Sequence, residues 1–228
     1  MDTRTVKQAF YTSVPVMAGY VVLGMGFGIL MRNAGYGVLW TAAMSIFIYA
    51  GSMQYVGVGL LTGGASVLTT ALTTFMVNAR HLFYSISMVD TYRDAGPGKP
   101  YLIFALTDET YSLLCDGTVP EGCDPRLYRL LVSFFNHCYW VTGSVLGSLL
   151  GTVLPFPTTG IEFSMTALFI AAFTEQWLTT KDHVPAATGL GCTLLCLLAF
   201  GPERFLIPSM LLITLVLTLV RGREESTE

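Results

Sequence analysis

TTALTTFMVNARHLFYSISM, residues 69–88, decides how the chain is read. It lies in a sequence from which charge is almost excluded. No Asp, Glu, Lys or Arg occurs from Asn33 to Ala79; Arg80 and His81 then appear together, followed at once by Leu82, Phe83 and Tyr84. At helical spacing Thr70, Thr74, Asn78, His81 and Ser85 fall on one stripe. An ionisable group inside a membrane span costs roughly 2.5–3.5 kcal/mol on insertion scales, so such groups face a bundle interior or a watery cavity. The stripe therefore predicts a helix over about 66–88 that lines a pathway, with Arg80 as its fixed cation. The competing reading is an arginine at a helix end that snorkels to the headgroups. The length of the polar stripe, rather than Arg80 alone, favours the pathway.

The composition agrees with a membrane setting. Of 228 residues, 53% are hydrophobic and 12% charged, with a mean hydropathy of +0.60, whereas a soluble domain averages about 25% charged. A helical span needs roughly 20 apolar residues, so the length holds seven or eight spans and leaves no room for a soluble catalytic domain. The expected fold class is all-α: a polytopic integral membrane protein with seven to eight transmembrane helices, some short or broken, forming one transporter domain over 1–228. The net charge of −3 suggests no nucleic-acid partner. The five cysteines, at 115, 123, 138, 192 and 196, have neither zinc nor redox spacing and are expected to pack without a disulfide framework.

Spans are expected at about 9–31, 38–61, 66–88, 101–115, 130–154, 163–179, 184–200 and 205–220. Residues 8–31 carry no charge and are too long for a signal-peptide core, so they read as a retained first span. Gly24, Gly26 and Gly28 give it a slim face. Gly143, Gly147 and Gly151 repeat every four residues in the fifth span, a small-xxx-small pattern that lets helices approach closely. Tyr49-Ala50-Gly51-Ser52-Met53-Gln54 is polar and flexible for membrane depth. Backbone is expected to unwind there, which is tolerated where it lines a cavity. With eight spans, Lys and Arg at 4, 7, 126, 129, 181, 221 and 223 share one side, against 32, 93, 99 and 204 on the other. The positive-inside rule then puts both termini in the cytoplasm.

The fourth segment carries Asp108 and Glu109 at its centre. On a continuous helix Asp108 shares a face with Phe104, Tyr111, Ser112 and Cys115, and Glu109 is turned about 100° away. Proton coupling and capture of a substrate ammonium are the functional readings; a helix-end position and an ion pair with Arg80 are the structural ones. Asp108, with Tyr111 and Ser112 for polar company, is the first choice for coupling. Arg80 is suited to bind a carboxylate bidentately, and His81 to carry protons near neutral pH. His137, Glu162 and Glu175 read as packing, helix-start and interfacial residues. No Walker A, HExxH or metal cluster occurs, so no enzyme, metal or cofactor is expected. A channel, or a scaffold subunit without carrier activity, is the rival function.

Several runs carry a family resemblance. They are Pro15, Gly19-Tyr20, Gly24, Phe27-Gly28, Tyr49 to Gln54, Asn78-Ala79-Arg80-His81, Leu106-Thr107-Asp108-Glu109 and Gly160-Ile161-Glu162-Phe163, leading to Thr166-Ala167-Leu168-Phe169. In that order they resemble the AzlC-type (YgaZ-like) branched-chain amino acid permeases. Val22 departs from the family, which often has proline there, as does Glu162, where Asp is usual. The resemblance implies the large subunit of a two-component exporter of leucine, isoleucine, valine or methionine. It also implies an AzlD-type small membrane subunit as partner and residence in the inner membrane. It supplies no list of binding residues. On the residues themselves, Tyr49, Gly51, Ser52, Gln54, Asn78 and Arg80 are the expected substrate contacts, and His81, Asp108 and Glu109 the expected proton-coupling groups.

Overall fold

The computed structural model describes residues 3–153, 182–202 and 205–224, with 160, 163, 166–167, 170, 173–174, 177–178 and 180 between them. Pro155, Pro157, Glu162 and Glu175 lie outside the described residues. Among those described, the regular structure is helical throughout. The helices are α1 (Thr3–Asn33), α2 (Val38–Phe47), α3 (Gly51–Thr62), α4 (Val67–Asn78), α5 (Arg80–Ser87), α6 (Lys99–Phe104), α7 (Asp108–Leu114), α8 (Pro125–Val153), α9 (Val184–Phe200) and α10 (Leu206–Glu224). A 3-10 turn at Gly96–Gly98 leads into α6. The chain forms two compact units, one of residues 1–71 and 81–165, the other of 72–80 and 166–228.

The first unit is built on α1 packed against α8. At 1.5 Å per residue these helices run roughly 46 and 43 Å, more than a bilayer core. Among the described residues α1 is the one helix both long and apolar enough to cross a membrane by length and composition. The two glycine faces expected from the sequence meet each other. A Cβ at Gly143 would lie 2.6 Å from the Val21 carbonyl oxygen, and one at Gly24 2.9 Å from the backbone of Trp140 and Ser144. At Gly28 and Gly147 it would run into the Ser144 and Met25 carbonyl oxygens. Only hydrogen side chains allow this approach, in which packing substitutes for a hydrophobic driving force. Polar bonds register the pair: Tyr128 Oη donates to Thr12 Oγ1 at 2.9 Å, and Ser13 Oγ meets Tyr139 Oη at 3.0 Å. Near one end, Ala9, Met88, Tyr92, Leu102, Leu106, Leu114, Tyr128 and Val132 form an apolar core.

The expected second span breaks where its sequence turns polar. Helix α2 stops at Phe47, Tyr49 has φ 42°, Ala50 is extended at φ −133° and ψ 86°, and α3 starts at Gly51. The third and fourth spans are corrections, since neither is one helix. Over 66–88 the ladder tightens at Ala79, whose N–H bonds Met76 O at 3.4 Å, an i→i−3 contact of 3-10 type. The single polar stripe through Asn78 and His81 is therefore interrupted. Over 101–115 the chain leaves α6 at Phe104 and restarts at Asp108. The cause is Thr107, extended at ψ 172°, whose hydroxyl accepts the Thr110 N–H at 3.3 Å as an N-cap. Asp108 and Glu109 thus occupy the first turn of α7, where carboxylates suit the helix dipole.

In the second unit α9 packs against α10, and Gly201, at φ 74°, ends α9. Cys192 and Cys196, one turn apart, are buried, as expected of small packing residues. Across the molecule large apolar side chains point outward: Leu39, Phe47, Val67, Ile86, Val153 and Leu198 are mostly exposed. So much exposed apolar surface marks a surface made for lipid or a partner rather than for water.

Candidate functional site

The breaks at 48–50 and 105–107 both belong to the first unit, and a buried polar cluster joins them to α1 and α8. Tyr20, from the glycine-rich half of α1, is its hub. Its hydroxyl donates to Glu109 Oε2 at 2.7 Å and lies 2.6 Å from Thr107 Oγ1. Thr107 in turn donates to Thr110 Oγ1 at 3.1 Å, and Asn136 Nδ2 of α8 donates to the same oxygen at 3.0 Å. Tyr20, Thr107, Thr110 and Asn136 are all buried, whereas Glu109 is half-buried. A chain of side-chain bonds therefore runs from a carboxylate, through the cap of α7, to the middle of α8.

The second part of the cluster surrounds the α2–α3 break. Gln54 is fully buried; its Oε1 accepts from Trp140 Nε1 at 2.9 Å and its Nε2 donates to Ser45 Oγ at 3.2 Å. Gly51 lies against the Trp140 ring, where a Cβ would come within 3.0 Å of Cη2. Tyr49 stacks on His137 with ring centroids 4.2 Å apart. His137 Nε2 sits 3.2 Å from the Ser45 carbonyl oxygen and Nδ1 3.1 Å from Tyr101 Oη. A carbonyl only accepts, so the proton of the neutral ring is on Nε2, and Tyr101 donates to Nδ1. The two parts meet where Trp140 packs edge-on against Tyr20, centroids 5.5 Å apart.

Of the residues singled out in the sequence, Tyr49, Gly51, Gln54 and Glu109 are brought together here. Ser52 is half-buried in the first turn of α3. Asp108 opens α7, but the Tyr20 bond falls on Glu109. The preference for Asp108 rested on Tyr111 and Ser112, which share α7 with it; the break removes only the face shared with Phe104. His81 packs edge-on against Tyr84, which stacks on Tyr111 at 4.8 Å. Asn78 ends α4 and Arg80 begins α5, flanking the Ala79 break; both belong to the second unit. Tyr20, Thr107, Thr110, Asn136, His137 and Trp140 were not read as site residues. The available signals were Thr107 ahead of two acids, an N-cap pattern, and Asn136-His137 inside an apolar run.

Residues 15–154, which include every member of this cluster, match the AzlC protein family. The chain is 42% identical to the branched-chain amino acid transport protein AzlC of Bacillus subtilis, over 97% of its own length and 87% of that protein's. The chain belongs to the AzlC family. Other family relatives agree: it is 43% identical to an uncharacterized membrane protein of Haemophilus influenzae, over 95% of this chain and 89% of that one. It is 27% identical to the inner membrane protein YgaZ of Escherichia coli, over 74% of this chain and 72% of that one. No solved structure matches the chain. Family membership makes it an all-α membrane protein of a transport family, which is what the outward apolar surface requires. The AzlC match also gives the cluster its setting, a polar centre between broken helices of a membrane transport protein.

Proposed function

We propose that the chain is the large subunit of a two-component secondary exporter of branched-chain amino acids, leucine, isoleucine and valine above all, with methionine as a further substrate. It works in the inner membrane beside a small AzlD-type subunit, with both termini cytoplasmic, and export is driven by protons. The observation that carries this reading is the Tyr20 hydroxyl bridging the Glu109 carboxylate and Thr107 at the α6–α7 break. It occurs in a chain 42% identical to a protein named for branched-chain amino acid transport. Broken helices are where transporters place substrate and coupling ions, because freed backbone groups are tolerated only in a protein-lined cavity.

The chemistry follows from one proton on Tyr20. When Glu109 is ionised, Tyr20 donates to it while Thr107 donates to Thr110. When Glu109 is protonated, the carboxyl donates to Tyr20 and Tyr20 turns its proton to Thr107, which keeps its bond to Thr110. Loading a proton thus gives the capping oxygen of Thr107 a second donor beside the Thr110 N–H. A capping bond contributes about 1 kcal/mol, so a change in how the cap is bonded is enough to bias a helix between two settings. Tyr49, Gly51, Ser52 and Gln54 line the substrate side of this centre. Arg80 and Asn78, at the third break, are the groups proposed to hold a carboxylate, which the planar guanidinium grips with two parallel bonds. His81 and Asp108 are further proton carriers in this scheme.

Leucine counterflow in proteoliposomes holding the chain and its small partner tests the reading. A carrier loaded with unlabelled leucine transiently accumulates labelled leucine. A channel or a scaffold subunit gives equilibration or no uptake, and either result would reject the carrier.

A further inference from the structure

Two half-helix pairs of the first unit fold back on themselves. In a continuous helix Met44 and Gly57 would stand about 20 Å apart. Instead a Cβ at Gly57 would lie 3.6 Å from Met44 Cε, and Gln54 Nε2 donates to Ser45 Oγ at 3.2 Å. Helices α2 and α3 are therefore antiparallel, joined by residues 48–50. Helices α1 and α8 give this hairpin a direction. They run parallel: Thr5 meets Asp124 at one end, Gly24 meets Trp140 in the middle, and Arg32 meets Gly151 at the other end. Thr41, near the start of α2, bonds Ser148 at 3.4 Å, toward the Arg32 end. The tip reaches His137 and Trp140. Helix α3 then turns back, since Tyr55 donates to Leu23 O at 2.7 Å and its ring packs on Phe27.

Helices α6 and α7 form a second hairpin, based at the other end. At its base a Cβ at Gly98 would lie 3.1 Å from Leu130 Cδ1, and Arg129 donates to Gly117 O at 3.4 Å. Leu102 and Leu114 share one apolar core with Tyr128 and Val132. Its tip lies farther along α8, where Thr110 bonds Asn136 and Tyr101 meets His137. The two tips meet, with the Tyr49 and Phe104 ring centroids 6.2 Å apart. Tyr20 and Trp140 beside them are within two residues of the middle of α1 and α8. His137 touches both hairpins: Nε2 donates to Ser45 O, and Nδ1 accepts from Tyr101. The Ser45 carbonyl needs this donor, because the Tyr49 N–H that a continuing helix would supply bonds Met44 O instead. We infer that 38–62 and 99–114 are re-entrant hairpins that enter the bilayer from opposite faces and meet at mid-depth, with His137 the positioning residue that clamps both tips. Neither segment is then a span. Helices that stop at mid-depth are tolerated because protein covers their ends. On the carrier reading above, moving one hairpin alone opens the site between the tips to one face. The basic residues change sides accordingly. Arg93 and Lys99, expected opposite the N-terminus, join Arg4, Lys7, Arg126 and Arg129, since Arg129 also donates to Thr91 O at 2.8 Å. Arg32 stands at the other end, which sharpens the charge asymmetry of this unit.

Labelling of single cysteines in the full chain tests the topology without any substrate. The native cysteines are replaced by alanine, and one cysteine at a time is supplied by Ala34→Cys, Ala65→Cys or Asp94→Cys, or by keeping Cys115 alone. A membrane-impermeant maleimide is applied to right-side-out and to inside-out vesicles. Positions 34 and 65, flanking α2–α3, should label from one face, and 94 and 115, flanking α6–α7, from the other. Members of one pair labelled from opposite faces would make that segment a span and overturn the inference. So would label on all four from one face, or a position labelled from neither, since each lies at the base of a hairpin. His137 is tested by rescue. His137→Phe keeps a ring under Tyr49 without a donor, whereas His137→Gln restores both a donor and an acceptor. Leucine counterflow at equal membrane abundance should fall about tenfold in His137→Phe, the worth of one hydrogen bond, and return to within about threefold of wild type in His137→Gln. Equal loss in both variants, or none in His137→Phe, would overturn the positioning role. A wild type that labels as expected but shows no counterflow would remove the carrier reading and leave the hairpins standing.

Discussion

Tyr20 carries a single proton between two acceptors, and that fact organises the site. The hydroxyl is buried with Glu109 on one side and Thr107 on the other, so the state of the carboxyl and the state of the helix cap are linked. Tyr20→Phe keeps the edge-on packing against Trp140 and deletes the link. We expect a folded protein with a lowered thermal midpoint, because a hydrogen bond to a charged group contributes about 1.5–3 kcal/mol. Leucine exchange should persist while pH-driven accumulation is lost; accumulation at the wild-type level would show that Tyr20 only packs. Arg80 is tested by shape as well as charge. Arg80→Lys should transport poorly, since it keeps the charge but not the planar fork, and Arg80→Leu should be inactive. Full transport by Arg80→Leu at normal membrane abundance would end its assignment to a carboxylate. Glu109, Tyr49 and Gln54 were legible as site residues because polar groups stand out in an apolar run. Tyr20 and Asn136 were not. Each has its partner 89 and 26 positions away, and helical periodicity shows which residues share a face but not what that face meets.

Helices α1 and α8 show what the sequence could and could not say about elements. Both glycine faces were visible in it. That they face each other required the structure. Because α1 fills the Gly143–Gly147 groove, changes in the groove act on the chain itself. Gly147→Leu would push its side chain into the Met25 backbone, and main chain has no rotamer to yield. The expected result is loss of folded protein in the membrane, read by detergent-resistant monodisperse yield; wild-type yield and transport would mean that α1 and α8 do not pack this way. The break after Phe47 was foreseen, because a run of Tyr, Ala, Gly, Ser and Gln neither anchors in lipid nor favours helix. The break at 105–107 was not, because Ala105-Leu106 reads as ordinary span and only Thr107 betrays a new helix start.

For the whole molecule, composition and length were enough to foresee an all-α membrane protein, since continuous uncharged apolar runs of about 20 residues satisfy their backbone within a single helix. Pairs of half-helices are harder to foresee. Helices α2 and α3 together add up to a membrane-length segment over 38–62, so hydropathy counts them as one span. The gaps between the halves are where the polar cluster sits. Coupling should therefore fail separately from substrate passage when the carboxyl at the α6–α7 gap can no longer titrate. The direct measurement is leucine movement in proteoliposomes under an imposed pH gradient, compared with leucine counterflow without one, for wild type, Glu109→Gln and Asp108→Asn. Wild type should concentrate leucine, and Glu109→Gln should retain counterflow while failing to concentrate it. Accumulation by both variants at the wild-type level would contradict proton coupling at this site.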